Sequence, residues 1–148
     1  MAPSLTATAA PGTRVAPGRR SALGLPVATV LGAAAVVGYI AVVDPNHPGH
    51  YPACPFYWLT GYYCPGCGSL RAIHDLAHGQ LAAAAHLNVL TVAFIPVLAV
   101  MWLSWSVRRA RGLPRRRVAP GWVVWGLLGL VLAFGLVRNL PFGHWLAP

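Results

Sequence analysis

The chain has 148 residues, of which 57% are hydrophobic and 9% charged, and its mean hydropathy is +0.59. A soluble domain carries about 25% charged residues, so this composition excludes an ordinary soluble fold and calls for lipid around most of the apolar side chains. The formal charge of +9 comes entirely from arginine. The arginines sit outside the apolar runs, as membrane flanks do, which argues against a nucleic-acid surface.

Residues 1–20 are rich in Ala, Pro, Thr and Gly, lack apolar periodicity and include Arg14, Arg19 and Arg20. They read as a disordered basic cytoplasmic tail. From residue 21 onward a single membrane domain is expected. Its first span covers about Ala22 to Val43, longer than the roughly 7 to 15 apolar residues of a secretory signal. Asp44-Pro45-Asn46 follows, with no small-residue cleavage pattern, so the run reads as a retained span.

Residues 44–80 form a polar hairpin carrying all three cysteines. Its first part, Asp44 to Pro52, is rich in Pro and Gly and reads as irregular extended chain. Its last part, Ser69 to His78, places Leu70, Ile73, Leu76 and Ala77 on one helical face and Arg71, His74, Asp75 and His78 on the other. That is a short amphipathic helix suited to a membrane interface, with Gly79 as its stop.

A second span runs from about Leu81 to Val107, with a kink expected at Pro96. An Arg-rich linker follows at 108–120, holding Arg108, Arg109, Arg111, Arg115, Arg116 and Arg117. The third span, Gly121 to Val137, has only 17 residues. This is near the lower limit for a hydrocarbon core of about 30 Å, and Arg138 is expected to extend it by snorkelling outward.

Short cytoplasmic loops carry the excess of positive charge. Two spans separate the two large Arg clusters, so both fall on one side, with the N-terminus and linker inside and the hairpin outside, and a third crossing puts the C-terminus outside as well. Trp102, Trp105, Trp122, Trp125 and Trp145 fall where interfacial aromatic belts are expected. Gly24, Ala28 and Gly32, and Gly129 with Ala133, have spacings that let helices approach closely. The expected fold is an all-α integral membrane protein of the cell membrane, with three transmembrane helices and a short interfacial helix after the Cys hairpin.

The hairpin carries Cys54, Cys64 and Cys67 in a Cys-x9-Cys-Pro-Gly-Cys-Gly pattern. Three chemistries fit it. A disulfide could staple the hairpin as a structural or partner-binding module. Zinc could be held by Cys54, Cys64 and Cys67, with His74 as fourth ligand, because His74 lies on nearly the same helical face about 10.5 Å along from Cys67. Finally, Cys64 at a helix start could attack a disulfide, with Cys67 resolving and Cys54 as relay. The bland reading of His74 and His78 is a solvated polar face, and Arg71 with Asp75 reads as an i,i+4 surface pair.

The segment resembles the small bacterial membrane proteins grouped as domain of unknown function 2752. The resemblance is carried by Cys54-Pro55, Thr60-Gly61, Cys64-Pro65-Gly66-Cys67-Gly68, Arg71-Ala72, Gly79 and Asn88, and spans about Cys54 to Leu90. It implies a membrane location and singles out Cys54, Cys64, Cys67, Gly68, Arg71, Gly79 and Asn88, without implying an activity. His86 and Asn88 lie near the outer end of the second span, where Asn88 is expected to bond backbone carbonyls of a neighbouring span or of the hairpin. His47, His50 and His144 read as solvated.

No carboxylate pair, nucleotide loop or Ser-His-Asp set is present, and two acids in the whole chain leave little material for hydrolysis or for proton-coupled transport. The balance is against an enzyme. The expected partners are the lipid bilayer and, for so small a chain, a second copy or another small membrane protein; nucleic acid is not expected.

Overall fold

The computed structural model describes residues 19–47, 49–114 and 119–148. Most of the expected basic tail and Arg115, Arg116 and Arg117 of the linker lie outside the described residues, as does the side chain of His144. Among the described residues the fold is entirely helical. In chain order it comprises α1 (Arg19–Val42), α2 (Pro55–Thr60), α3 (Ser69–Ala77), α4 (Leu81–Ala110) and α5 (Gly121–Val137), then a 3-10 segment at Pro141–Leu146.

Two of these helices are long and apolar enough to cross a membrane: Leu23–Val42 within α1 and Leu81–Ala110, each with a mean hydropathy of 2.1. A buried core helix of a soluble protein would have the same composition, but here very few of the apolar side chains are buried. Among the described residues the buried hydrophobic core is limited to Ile40, Ala72 and Ala84. Apolar surface of that extent is stable in lipid, where it need not be hidden from water. α5 is apolar along its whole length but shorter, at 17 residues.

The ends of the helices gather at one place. α3 lies along the start of α4, where Ala72 and Ala84 are both fully buried and the Ser69 and Thr91 hydroxyls are 2.7 Å apart. It also touches the end of α1, where His74 Nδ1 lies 2.8 Å from the Ile40 carbonyl. Gly79, at φ +76°, ends α3 in a left-handed turn, and the Gln80 N–H reaches back to the Asp75 carbonyl at 2.8 Å. This closes the last turn in a Schellman arrangement, as the Gly79 stop leads one to expect. Further along, Trp102 Nε1 donates to Thr29 Oγ1 at 3.0 Å and ties α4 to α1.

Two backbone expectations need correction. The break in α4 is at Asn88 (φ −163°, ψ 90°), while Pro96 sits inside continuous helix. The missing N–H of a proline can be accommodated in a long helix, whereas Asn88 supplies a side-chain acceptor that lets a new helical segment begin. Its Oδ1 accepts the Thr91 N–H at 2.9 Å, an N-cap in mid-helix. The small residues expected to bring helices together do not do so within the chain, since a Cβ at Gly24, Gly32 or Gly129 would meet nothing within 4 Å.

Candidate functional site

The first cysteine stands at the start of a helix that the irregular hairpin reading did not include. Cys54 is the residue before α2, with Pro55 at its first position and Gly61, at φ +72°, ending it. Proline is preorganised for the first helical turn and glycine for the left-handed exit, so six residues suffice. Tyr57 then stacks on Tyr63 with ring centroids 4.9 Å apart. Cys54 and Cys64 are thereby brought face to face.

Cys64-Pro65-Gly66-Cys67 is a tight turn closed by the Cys67 N–H on the Cys64 carbonyl at 3.0 Å. The Cys64 and Cys67 sulfurs are 3.0 Å apart, and Cys54 Sγ is 3.5 Å from Cys64 Sγ. All three are free thiols, partly exposed, and their sulfurs lie within 4.8 Å of one another. Gly68 follows at φ +83°, and a Cβ there would stand 2.6 Å from the Leu87 carbonyl oxygen. No other residue fits, because both the conformation and the space exclude a side chain. Gly68→Ala is therefore expected to cost about 1–3 kcal/mol. Gly79→Ala, equally left-handed but open to space, should cost about 1 kcal/mol; thermal melting of the two variants in detergent checks the order.

The carbonyls of this turn point away from the sulfurs into a polar clasp. Asn88 Nδ2 donates to the Pro65 and Cys67 carbonyls at 2.9 and 3.1 Å. From the other side Arg138 Nη1 donates to the Cys64 and Cys67 carbonyls at 3.0 and 3.1 Å, and its Nη2 to the Leu146 carbonyl at 2.9 Å. Asn139 completes the grip, accepting the Tyr63 N–H and donating to the Tyr63 carbonyl, both at 2.8 Å. α5 comes so close that a Cβ at Gly135 would meet Pro65 at 2.7 Å.

Arg138 therefore does not snorkel outward. It is 1% exposed, and its guanidinium lies over the Phe134 ring at 5.0 Å. Neither Arg138 nor Asn139 stands out in the sequence as a site residue. The available signal was positional: an arginine on the expected outer side runs against the charge bias and so needs a local reason.

His74 is turned to the end of α1, with Nε2 3.7 Å from Asp44 Oδ1 and Nδ1 on the Ile40 carbonyl, and the cluster of sulfurs does not include it. His78 lies beside His74 with ring centroids 4.4 Å apart and the rings tilted by 39°, and His86 is exposed. Arg71 and Asp75 do not pair; among the described residues the ion pairs are those of Asp44 with His47 and His74. His50, exposed, has Nδ1 2.9 Å from the Asp44 carbonyl.

The thiols differ in environment. Although Cys54 makes no full capping hydrogen bond, the Tyr57 backbone N–H it faces lowers its pKa, and the neighbouring Cys64 and Cys67 side chains add to this against some burial. Burial, with the contacts to Cys64 and Cys54, pushes the Cys67 thiol up to about 12. Burial also lowers the Arg138 pKa, resisted by Cys67 and Cys64, but an arginine keeps its proton.

Residues 54–102 match the family described as Protein of unknown function (DUF2752). The match starts at Cys54 and runs through the break at Asn88 to Trp102, further along α4 than the motif positions alone reach. The DUF2752 segment thus contains the three thiols, Gly68, Arg71 and Asn88, while the Arg138 and Asn139 half of the clasp comes from outside it. No curated protein and no solved structure matches this chain.

Proposed function

We propose that this chain is a three-pass membrane protein that holds one thiophilic metal ion, zinc in the first instance, at an extracytoplasmic site made by Cys54, Cys64 and Cys67. The observation that carries this reading is the convergence of all three sulfurs within 4.8 Å. A disulfide staple needs two sulfurs and leaves the place of the third indifferent. With Zn–S near 2.3 Å, sulfurs of a tetrahedral site are about 3.8 Å apart. The 3.0 and 3.5 Å separations here open to that value with shifts of under about 1 Å.

Charge supports the same reading. Arg138 is buried beside the turn, while Asp44, one of the chain's two acids, is engaged at the end of α1. Three thiolates with a divalent ion carry one net negative charge, which the guanidinium balances. The clasp fixes the turn backbone from behind, the preorganisation that a metal site requires of its surroundings. The hairpin is in this sense a structural module as well.

The sidedness rests on the arginine distribution, and the third crossing on the end of α5 reaching the Cys turn beside the start of α4, the end where α1 also meets α3. The linker then belongs at the far end of α4, about 33 Å from Asn88 at 1.5 Å per residue.

Protein purified anaerobically under reduction is expected to carry one zinc per chain with all three thiols protected from alkylation. Cys54→Ser should weaken binding at least about 100-fold, more than loss of a supporting contact would. Three freely alkylated thiols without metal would overturn the site. A Cys64–Cys67 disulfide equilibrating with a redox buffer would establish thiol exchange in its place, and a bridge to Cys54 resisting reduction would establish the staple. After chelation and reduction, an impermeant maleimide should label the thiols in intact cells; labelling only after lysis would reverse the topology.

A further inference from the structure

Above the three sulfurs lies a cavity of about 560 Å³. A water completing a metal's coordination needs about 30 Å³, whereas pockets for small organic ligands run from about 300 to 1,000 Å³. The size calls for something larger than water. The cavity's lining contains Arg71 and the Tyr57 and Tyr63 rings, and no Asp or Glu side chain.

Arg71 is the unusual member. It is half-buried, and its guanidinium makes no hydrogen bond or ion pair with any described residue, Asp75 one turn along included. Arg138, by contrast, is committed to the carbonyls behind the turn. Arg71 thus brings a planar fork of donors to a cavity whose lining has no acid and includes all three cysteines, the kind of group that grips a carboxylate through paired hydrogen bonds. Three soft sulfur ligands also favour a fourth of the same kind.

From these observations, and resting on the metal reading above, we infer that the cavity receives a low-molecular-weight thiol bearing a carboxylate. Its sulfur takes the fourth position on the metal and its carboxylate lies against Arg71. In this ligand exchange the metal–water bond breaks, the metal–sulfur bond forms, and the thiol proton passes to solvent; nothing is oxidised or reduced. The stacked Tyr57 and Tyr63 rings form the apolar wall along the ligand's carbon chain.

The test uses the full chain loaded with Co²⁺ as a spectroscopic probe, under reducing anaerobic conditions, with cobalt stoichiometry measured first. N-acetylcysteine and its uncharged amide are then titrated while the sulfur-to-cobalt charge-transfer band is followed. The acid is expected to saturate at about tenfold lower concentration than the amide, the worth of a charge-assisted hydrogen bond. Arg71→Gln should abolish that preference with cobalt still bound stoichiometrically, and Arg71→Lys should keep part of it. Equal affinity for the two thiols, a preference that survives Arg71→Gln, or no growth of the band on adding thiol would each overturn the inference while leaving the metal site standing. Failure to bind cobalt at all would defeat the metal reading itself, and this inference with it.

Discussion

Replacing Arg138 by Met is expected to destabilise the protein by about 3–5 kcal/mol, the largest effect of any single substitution considered. Two terms compete. Removing a buried guanidinium recovers its desolvation cost, which on its own would favour the variant. Against this stand three well-formed hydrogen bonds, to the carbonyls of Cys64 and Cys67 at 3.0 and 3.1 Å and of Leu146 at 2.9 Å. A bond to a charged donor contributes about 1.5–3 kcal/mol; the Cys64 and Cys67 carbonyls would keep the Cys67 N–H and Asn88 Nδ2, so the cost is loss of the charged donor at each. The ring of Phe134 at 5.0 Å already offsets part of the desolvation, so the recovered term is the smaller one. Met fills the volume, which separates the lost bonds from a cavity effect. Arg138→Lys keeps the charge but presents a point in place of a fork, and should fall between wild type and Met. Melting in detergent, with and without zinc, checks both: the loss should be greater with the metal, whose anionic site loses its counter-charge. Unchanged melting of Arg138→Met would mean that the clasp does not hold the turn.

The sequence made some of this site readable and hid the rest for identifiable reasons. The α5 boundaries, Gly121 and Val137, follow directly from hydropathy, and the α3 stop follows from Gly79. Cys64 and Cys67 meet because a Pro-Gly turn lies between them, a local effect. Asn88 stood out as a costly polar group near the end of an apolar run. α2 was missed because six residues are too few for periodicity to register, although Pro55 and Gly61 mark its two ends. Helical spacing alone offers His74 as a fourth ligand to the sulfurs, beside its reading as a solvated polar-face residue. That arithmetic gave its reach but not its competitor, the Ile40 carbonyl at the end of α1, one of the unsatisfied carbonyls that every helix end exposes. Arg138 was hidden for a deeper reason. Its partners at the turn lie more than 70 residues upstream and are backbone oxygens, which no side-chain pattern announces.

Asn88→Leu is the second substitution with a large expected effect, about 2–4 kcal/mol, because one side chain performs two separable tasks. Its amide nitrogen holds the Pro65 and Cys67 carbonyls at 2.9 and 3.1 Å, while its oxygen caps the segment that restarts α4 through the Thr91 N–H at 2.9 Å. Leucine keeps the bulk and suits the apolar surroundings, so the loss reports the polar contacts. Without the cap, position 88 has no reason to stay extended, and α4 should close into continuous helix, drawing the Leu87 carbonyl away from Gly68. Asn88→Ser isolates the two tasks: its hydroxyl can cap but cannot reach the turn, so it should recover about 1 kcal/mol of the loss and leave the remainder. Hydrogen exchange at the Thr91 amide reads the cap and alkylation rates of Cys64 and Cys67 read the turn. Thr91 protection that survives in Asn88→Ser while thiol alkylation accelerates would establish that the break in α4 exists to bring a side chain to the Cys turn. Equal behaviour of the Ser and Leu variants in both measurements would mean that the cap contributes nothing separable.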